Sequence, residues 1–384
     1  MGPGKARRED RVLLGVVVIL LLLGILMVYS ASSFRGAEKF GDSARFLKQH
    51  LVRVVLGFLF LLGFSKIDYH RFRWIAPVML LFFLGLLVVV LFGPEFHGSR
   101  RSIFFLGKRF QPSEFMKLTM IFYLAGVFAK GGRFSSGERN TLMVHFAIVL
   151  LSVGLVFIEP DLGTALVLFL VGFSMFYLGG VAWKQLVRIT LFLVPLVSMG
   201  MVLFPYQRQR LVDFWRSVFG SAPMNYQVKQ SIIGLAHGGF SGVGYGVGKQ
   251  KLFFLPEPFS DFIVASLGEE LGFLGIFMLF VFFAVVLWRG IRIAIRAPDR
   301  YGFLLAGGIT AMILLNALMN AGVVVHLLPT TGLPFPFLSY GGSSLFVHLV
   351  GVGILLNISK KMVVPYRNFT LNRGRRSWWT GEVD

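Results

Sequence analysis

The chain has 384 residues, of which 55% are hydrophobic and only 15% charged, where a soluble domain carries roughly 25% charged residues. Cysteine is absent, which excludes disulfides, thiolate metal sites and cysteine nucleophiles. The net charge of +20 flanks apolar runs rather than building a soluble basic module, so a nucleic-acid partner is excluded as well.

Apolar runs of about 18 to 20 residues recur along the chain, the length that crosses a hydrocarbon core. They predict an all-α polytopic membrane protein with about ten transmembrane helices. A basic N-terminal tail, 1–11, precedes the first run, which is too long for a signal peptide and lacks a small-residue cleavage pattern. The spans are expected near 12–31, 50–65, 74–93, 112–129, 141–158, 162–180, 185–204, 261–288, 302–326 and 342–359. The second is short and carries Arg53. They form one transmembrane domain, 12–360, followed by a basic tail, 361–384. One long loop, 205–260, lies between helices 7 and 8 and shows no clear secondary structure.

An even number of spans puts both termini on one side. That side holds the larger share of Lys and Arg, so it is expected to be cytoplasmic, and the long loop extracytoplasmic. The tails suit anionic lipid. Arg100, Arg101, Lys108, Arg109, Arg208, Arg210 and Arg216 oppose this preference on the outer side. Either they snorkel at the interface, or they meet an anionic ligand such as a phosphate or pyrophosphate.

Gln111-Pro-Ser-Glu114-Phe-Met-Lys117 opens the fourth span and sets Glu114 and Lys117 on one helix face. They form either a local ion pair or an orienting pair in the floor of a site. Glu159-Pro160-Asp161 makes a tight turn in which Asp161 caps the next helix. The same two carboxylates are a candidate site for a divalent cation, Mg²⁺ or Mn²⁺. The glycine-dense stretch 231–250 suits close backbone approach better than a nucleotide loop, because no strand precedes it. His237 within it has the chemistry of a base, though a structural or solvent-facing role suits it better.

Leu255-Pro-Glu-Pro-Phe-Ser-Asp261 leads into the eighth span. Asp261 is expected in its first turn, where the helix dipole favours the ionised form, as either a cap or a proton acceptor. Glu269 and Glu270 follow roughly 12–14 Å deeper at 1.5 Å per residue. They read as a supporting polar network that could extend to Lys117. Three prolines between Pro329 and Pro336 preclude a helix, so 329–344 is expected to line a pocket. Its Ser339 and Ser343 offer hydroxyls to a sugar or phosphate.

Together, Tyr29-Ser-Ala-Ser32, Gln111-Pro-Ser-Glu114, Pro160-Asp-Leu-Gly163, Tyr226-Gln-Val-Lys-Gln230-Ser231, Leu255-Pro-Glu257, Asp261-Phe-Ile, Gly268-Glu-Glu-Leu-Gly272 and Ser339-Tyr-Gly-Gly-Ser-Ser344 resemble the SEDS family, the FtsW and RodA peptidoglycan polymerases. The resemblance covers about 12 to 360. It departs from the family's pattern at Phe259-Ser260 and around Gly220 to Met224. It implies a lipid II polymerase of the bacterial cytoplasmic membrane, with Asp261 as the essential outer aspartate. Tyr29 to Ser32 with Phe46-Leu-Lys-Gln49, and Leu328 to Pro334, favour the division branch over the elongation branch.

The implied reaction is inverting glycosyl transfer with Asp261 as general base and undecaprenyl pyrophosphate as leaving group. Candidate substrate contacts are Arg100, Arg101, Lys108, Arg109, Arg210, Lys249, Ser339 and Ser343. Glu114, Lys117, Glu269 and Glu270 are supporting residues, and Glu159 and Asp161 the candidate metal ligands. The implied partners are lipid II and the growing glycan strand, a class B penicillin-binding protein and other divisome membrane proteins. A lipid II flippase and a non-catalytic divisome scaffold are the competing readings.

Overall fold

The structure is a computed structural model, and it describes residues 10–93, 101–105, 108–130, 139–188, 190–191, 205–252, 254–256 and 258–362. In chain order the elements are α1 (Arg11–Phe40), α2 (Arg45–Phe64), α3 (Arg71–Leu91), β1 (Ile103–Phe105), β2 (Lys108–Phe110), α4 (Pro112–Lys130), α5 (Arg139–Ile158) and α6 (Leu162–Leu178). They continue as α7 (Pro205–Val218), α8 (Tyr226–Gly238), α9 (Ile263–Ile295), α10 (Arg300–Val324) and α11 (Ser343–Lys360). Among the described residues the elements are helices apart from one β1–β2 hairpin, which pairs Ile103 with Phe110 and Phe104 with Arg109. That hairpin departs from the all-α expectation. Its three-residue strands are too short to show an alternating pattern.

Six helices, α1, α2, α3, α9, α10 and α11, are long and apolar enough to cross a bilayer. Residues 142–158 and 162–178 form shorter apolar helices. The expected span 185–204 lies largely outside the described residues, as do most of both basic tails. Helix α4 is buried on nearly every side and packs against α3, α6 and α10. The core therefore centres on α4, α10 and α11, whose inward faces are closed by Leu, Ile, Met and Phe. In α2, the suspect Arg53 is explained by its guanidinium lying 4.2 Å over the Tyr340 ring, a cation–π contact that also leaves the chain end free to reach water.

The loop expected to be irregular contains two helices. Asn225 caps α8 by accepting from Gln227 N at 3.0 Å. Helix α7 is held by Gln207 Nε2 donating to Phe157 O (2.7 Å), and by Ser217 Oγ against His326 Nε2 (3.0 Å). Neither helix is long or apolar enough to read as a span, so the span pattern passed over both.

Helix α9 is two helices joined at Gly272, whose φ of 64° and ψ of −163° break the ladder. The break releases backbone groups that need partners inside the fold. The glycine-dense stretch supplies them. Val243 N and Gly244 N donate to Glu269 O and Glu270 O, at 3.0 and 3.1 Å. Phe273 N and Leu274 N donate to Gly239 O and Phe240 O, at 2.9 and 3.1 Å. A Cβ on Gly272 would sit 2.3 Å from Gly242 N and 2.6 Å from Phe240 O. Both the conformation and the contact therefore require glycine here. Replacing Gly272 with Ala should lower stability by at least ~1–3 kcal/mol, read as an earlier melting transition of the purified protein in detergent.

Candidate functional site

Residues 325–342, between α10 and α11, are irregular, and their middle is buried, with Leu333, Phe335, Phe337 and Leu338 at most 1% exposed. Beside them lies a polar cleft of about 430 Å³, lined among others by Arg101, Arg109, Arg210, Asp261, Asn320 and Ser343. A larger groove of about 690 Å³ runs between α6, α9 and α10, but it is lined by apolar residues such as Phe173, Ile291 and Leu314 and holds no charged group. The chemistry sits in the smaller cleft.

Asp261 is not in the helix. Helix α9 starts at Ile263 with Phe262 in the cap position and no side-chain capping bond, so the expected first-turn placement is corrected by two residues. Ser260 Oγ donates to Asp261 Oδ1 at 2.8 Å. Three consecutive carbonyls leading to this carboxylate are each fixed from outside. Tyr340 N donates to Phe259 O (2.9 Å), Ser339 Oγ to Ser260 O (2.5 Å) and Asn320 Nδ2 to Asp261 O (2.7 Å). Gly332, with φ of 67°, lies between Asp261 and Arg101; a Cβ there would be 3.3 Å from Asp261 Oδ2 and 3.6 Å from an Arg101 nitrogen.

The expected substrate contacts separate into groups. Arg101, Arg109, Arg210 and Ser343 line the cleft together with Asp261. The β1–β2 hairpin brings in Arg101, two residues before β1, and Arg109, in the middle of β2 opposite Phe104. Helix α7 brings in Arg210, whose guanidinium donates to Thr330 O at 3.2 Å. Ser343 Oγ accepts from Gln111 N at 3.1 Å, which ties α11 to the start of α4. Ser339 does not face the cleft. It is 3% exposed, and its hydroxyl is used between Phe335 N (2.7 Å) and Ser260 O. Lys249 is not a lining residue either; its backbone N–H donates to Glu269 Oε1 at 2.8 Å while its side chain is exposed. Arg100 and the side chain of Lys108 lie outside the described residues.

The supporting carboxylates form two networks rather than one. Lys117 Nζ pairs with Glu114 Oε1 at 2.9 Å and donates to Asn316 Oδ1 at 3.2 Å. Asn316 Nδ2 continues to His348 Nε2 at 3.2 Å. Glu269 instead accepts from the backbone N–H groups of Lys249 and Gln250. Glu270 accepts from Lys251 Nζ (2.6 Å), Ser30 Oγ (2.5 Å) and Gly246 N (3.0 Å). A link from Glu269 or Glu270 to Lys117 is therefore not made. The Gly272 break turns these acids toward the glycine-dense loop. Lys251 and Ser30 were missed as partners because nothing local in the sequence pairs residues 221 positions apart.

Asp161 caps α6, accepting from Thr164 N (3.0 Å) and Thr164 Oγ1 (2.9 Å), and it also accepts from Gln111 Nε2 (2.9 Å). Arg101 approaches it to 3.9 Å. Glu159 is fully buried and neither carboxyl oxygen has a hydrogen-bond partner. Burial, reinforced by the Asp161 charge, pushes its pKa up to about 9. A divalent cation needs open, ionised carboxylate oxygens. Asp161 already accepts three hydrogen bonds, and among the described residues no group of three or more His, Asp or Glu is placed to hold a metal ion, so this pair is not a built cation site.

The family model for FtsW, RodA and SpoVE, described as "Cell cycle protein", matches residues 10–363. The chain is 38% identical over 364 residues to "Stage V sporulation protein E" of Bacillus subtilis strain 168, covering 93% of this chain and 98% of that one. It is 38% identical over 361 residues to "Probable peptidoglycan glycosyltransferase FtsW" of Trichlorobacter lovleyi, covering 93% and 94%. Among solved structures, the rod shape determining protein RodA of Thermus thermophilus matches with a TM-score of 0.69 at 25% identity, covering 92% of this chain and 97% of that one. A chain from a structure described as a peptidoglycan synthase complex coordinating polymerization and crosslinking matches with a TM-score of 0.74 at 26% identity, covering 92% and 98%.

Two outcomes follow from the buried acids. A carboxyl with a raised folded pKa favours the folded state while protonated, an advantage intact below about 4.5 and lost as pH rises through about 9. The melting temperature of the wild type should therefore fall across that interval more than that of Glu159→Gln. Lys251→Met leaves Glu270 buried without its cation and should destabilise by about 3–5 kcal/mol, measured by thermal melting, with Lys251→Met/Glu270→Gln recovering part of the loss.

Proposed function

The chain belongs to the FtsW, RodA and SpoVE family of cell cycle proteins, and on that premise we propose that it is a peptidoglycan glycosyltransferase that polymerises lipid II. The observation that carries this reading is a single carboxylate, Asp261, set in a cleft with three arginines. In the proposed step, Asp261 removes the proton from the C4 hydroxyl of the acceptor's terminal N-acetylglucosamine. The freed oxygen attacks the anomeric carbon of the donor's N-acetylmuramic acid from the face opposite the leaving group. The glycosidic bond forms, the bond to undecaprenyl pyrophosphate breaks, and configuration inverts.

Arg101, Arg109 and Arg210 are suited to the charge that develops on the departing pyrophosphate, since guanidinium forks match phosphate oxygens. A divalent cation, if used, would enter with the pyrophosphate rather than on Glu159 and Asp161. The reaction is proposed to take place on the outer face of the cytoplasmic membrane, with both termini inside, as the distribution of basic residues favours. A class B penicillin-binding protein is the proposed partner, supported by the likeness to a chain of a synthase complex.

A septal role is favoured over elongation because relatives at 37–38% identity carry FtsW or sporulation names, whereas the RodA likeness stands at 25% identity. A lipid II flippase would need mobile intramembrane charges. Glu269, Glu270 and Lys117 are instead held by local partners.

With purified lipid II and the partner protein, the wild type should make glycan strands. Asp261→Ala should fall by at least the 10²–10⁴-fold typical of a lost general base, with folding unchanged. Full polymerisation by Asp261→Ala would eliminate the base assignment. Lipid II crossing vesicles without polymerisation would favour the flippase.

A further inference from the structure

Asp261 stands outside any helix, and its backbone position depends on bonds arriving from elsewhere in the chain. Two of the three elements that fix it, Ser339 and Tyr340, belong to the same irregular segment. The third, Asn320, lies on α10, is 2% exposed, and uses both amide hydrogens at once. One goes to Asp261 O at 2.7 Å, the other to Leu333 O at 2.6 Å. Both residues line the cleft, and they come from different segments of the chain. Asp261 carries the carboxylate, while the Leu333 segment carries Gly332, against Arg101, and Thr330, whose carbonyl receives Arg210.

A side chain with two hydrogens on one planar nitrogen sets two acceptors at fixed distance and angle, which neither a hydroxyl nor a carboxylate does. Asn316 occupies the same face one turn earlier but is committed to Lys117, His348 and Met312 O. Helix α10 thus presents one amide to the buried ion pair and one to the cleft.

We propose that Asn320 is the positioning residue of this site, a two-donor bridge that fixes the separation between the Asp261 carboxylate and the arginines that receive the leaving group. It touches neither reacting sugar. It acts by holding base and anion receptors in one geometry, so its loss separates turnover from binding. The inference rests on the polymerase reading above.

The test compares wild type, Asn320→Asp and Asn320→Gln in lipid II polymerisation with the partner present, reading kcat and KM separately, alongside melting temperature in detergent. Asp keeps the shape of Asn but supplies at most one donor, when protonated, in place of two, and should lower kcat by about 100-fold with KM changed less than about twofold, the pattern of displaced reacting groups. Gln restores both donors and should recover part of kcat. If Asn320→Asp does not fold, Asn320→Gln and Ser339→Ala decide by the same split. Wild-type kcat in folded Asn320→Asp, or a rise in KM with kcat unchanged, would overturn the proposal. Failure of the wild type itself to polymerise would count against the polymerase reading instead.

Discussion

A break in a helix among apolar neighbours leaves backbone groups that water cannot reach, and the break at Gly272 shapes the half of the molecule around it. Two carbonyls before it and two N–H groups after it are taken up by residues 239–244. Each such group left unpaired would cost on the order of a few kcal/mol, so loop and kink have to form together. The turn also aims Glu269 and Glu270 at residues 246–251, where they accept from backbone N–H groups and from Lys251. The strand of chain that then runs to Asp261 begins from a fixed point.

The cleft follows the same rule at a second irregular stretch. The proline-rich segment before α11 cannot satisfy itself by a helix, so its polar groups meet those of 259–261 and Asn320. Backbone accounting and site geometry become one matter. The bonds that make the irregular chain tolerable also set where the carboxylate lies relative to three arginines from two other parts of the sequence.

Much of this is legible in the sequence. Span periodicity gives the long helices, and the cost of charge at membrane depth singles out Asp261, Glu269 and Glu270. The motif at Asp161 reads correctly as a cap, and the close approach expected of the glycines is found at Gly242 against Glu270 O. The polar character of Ser339 and Lys249 was visible too, but not its use. Ser339 is spent on the chain and Lys249 contributes only its backbone. Nothing local joins Ser30 to Lys251 or Asn320 to Asp261, which lie 221 and 59 positions apart in sequence.

The sequence by itself determined the helical, membrane-suited architecture, the family, and the one carboxylate on which the proposed chemistry turns. These depend on composition, periodicity and short motifs, all local properties of a chain. Tertiary structure alone decided that Glu270 pairs with Lys251, that Asp261 lies outside its helix, and that burial beside Asp161 raises the Glu159 pKa. Those outcomes depend on distances between segments that meet only on folding, where burial and a neighbour's charge set both the geometry and the protonation of a group.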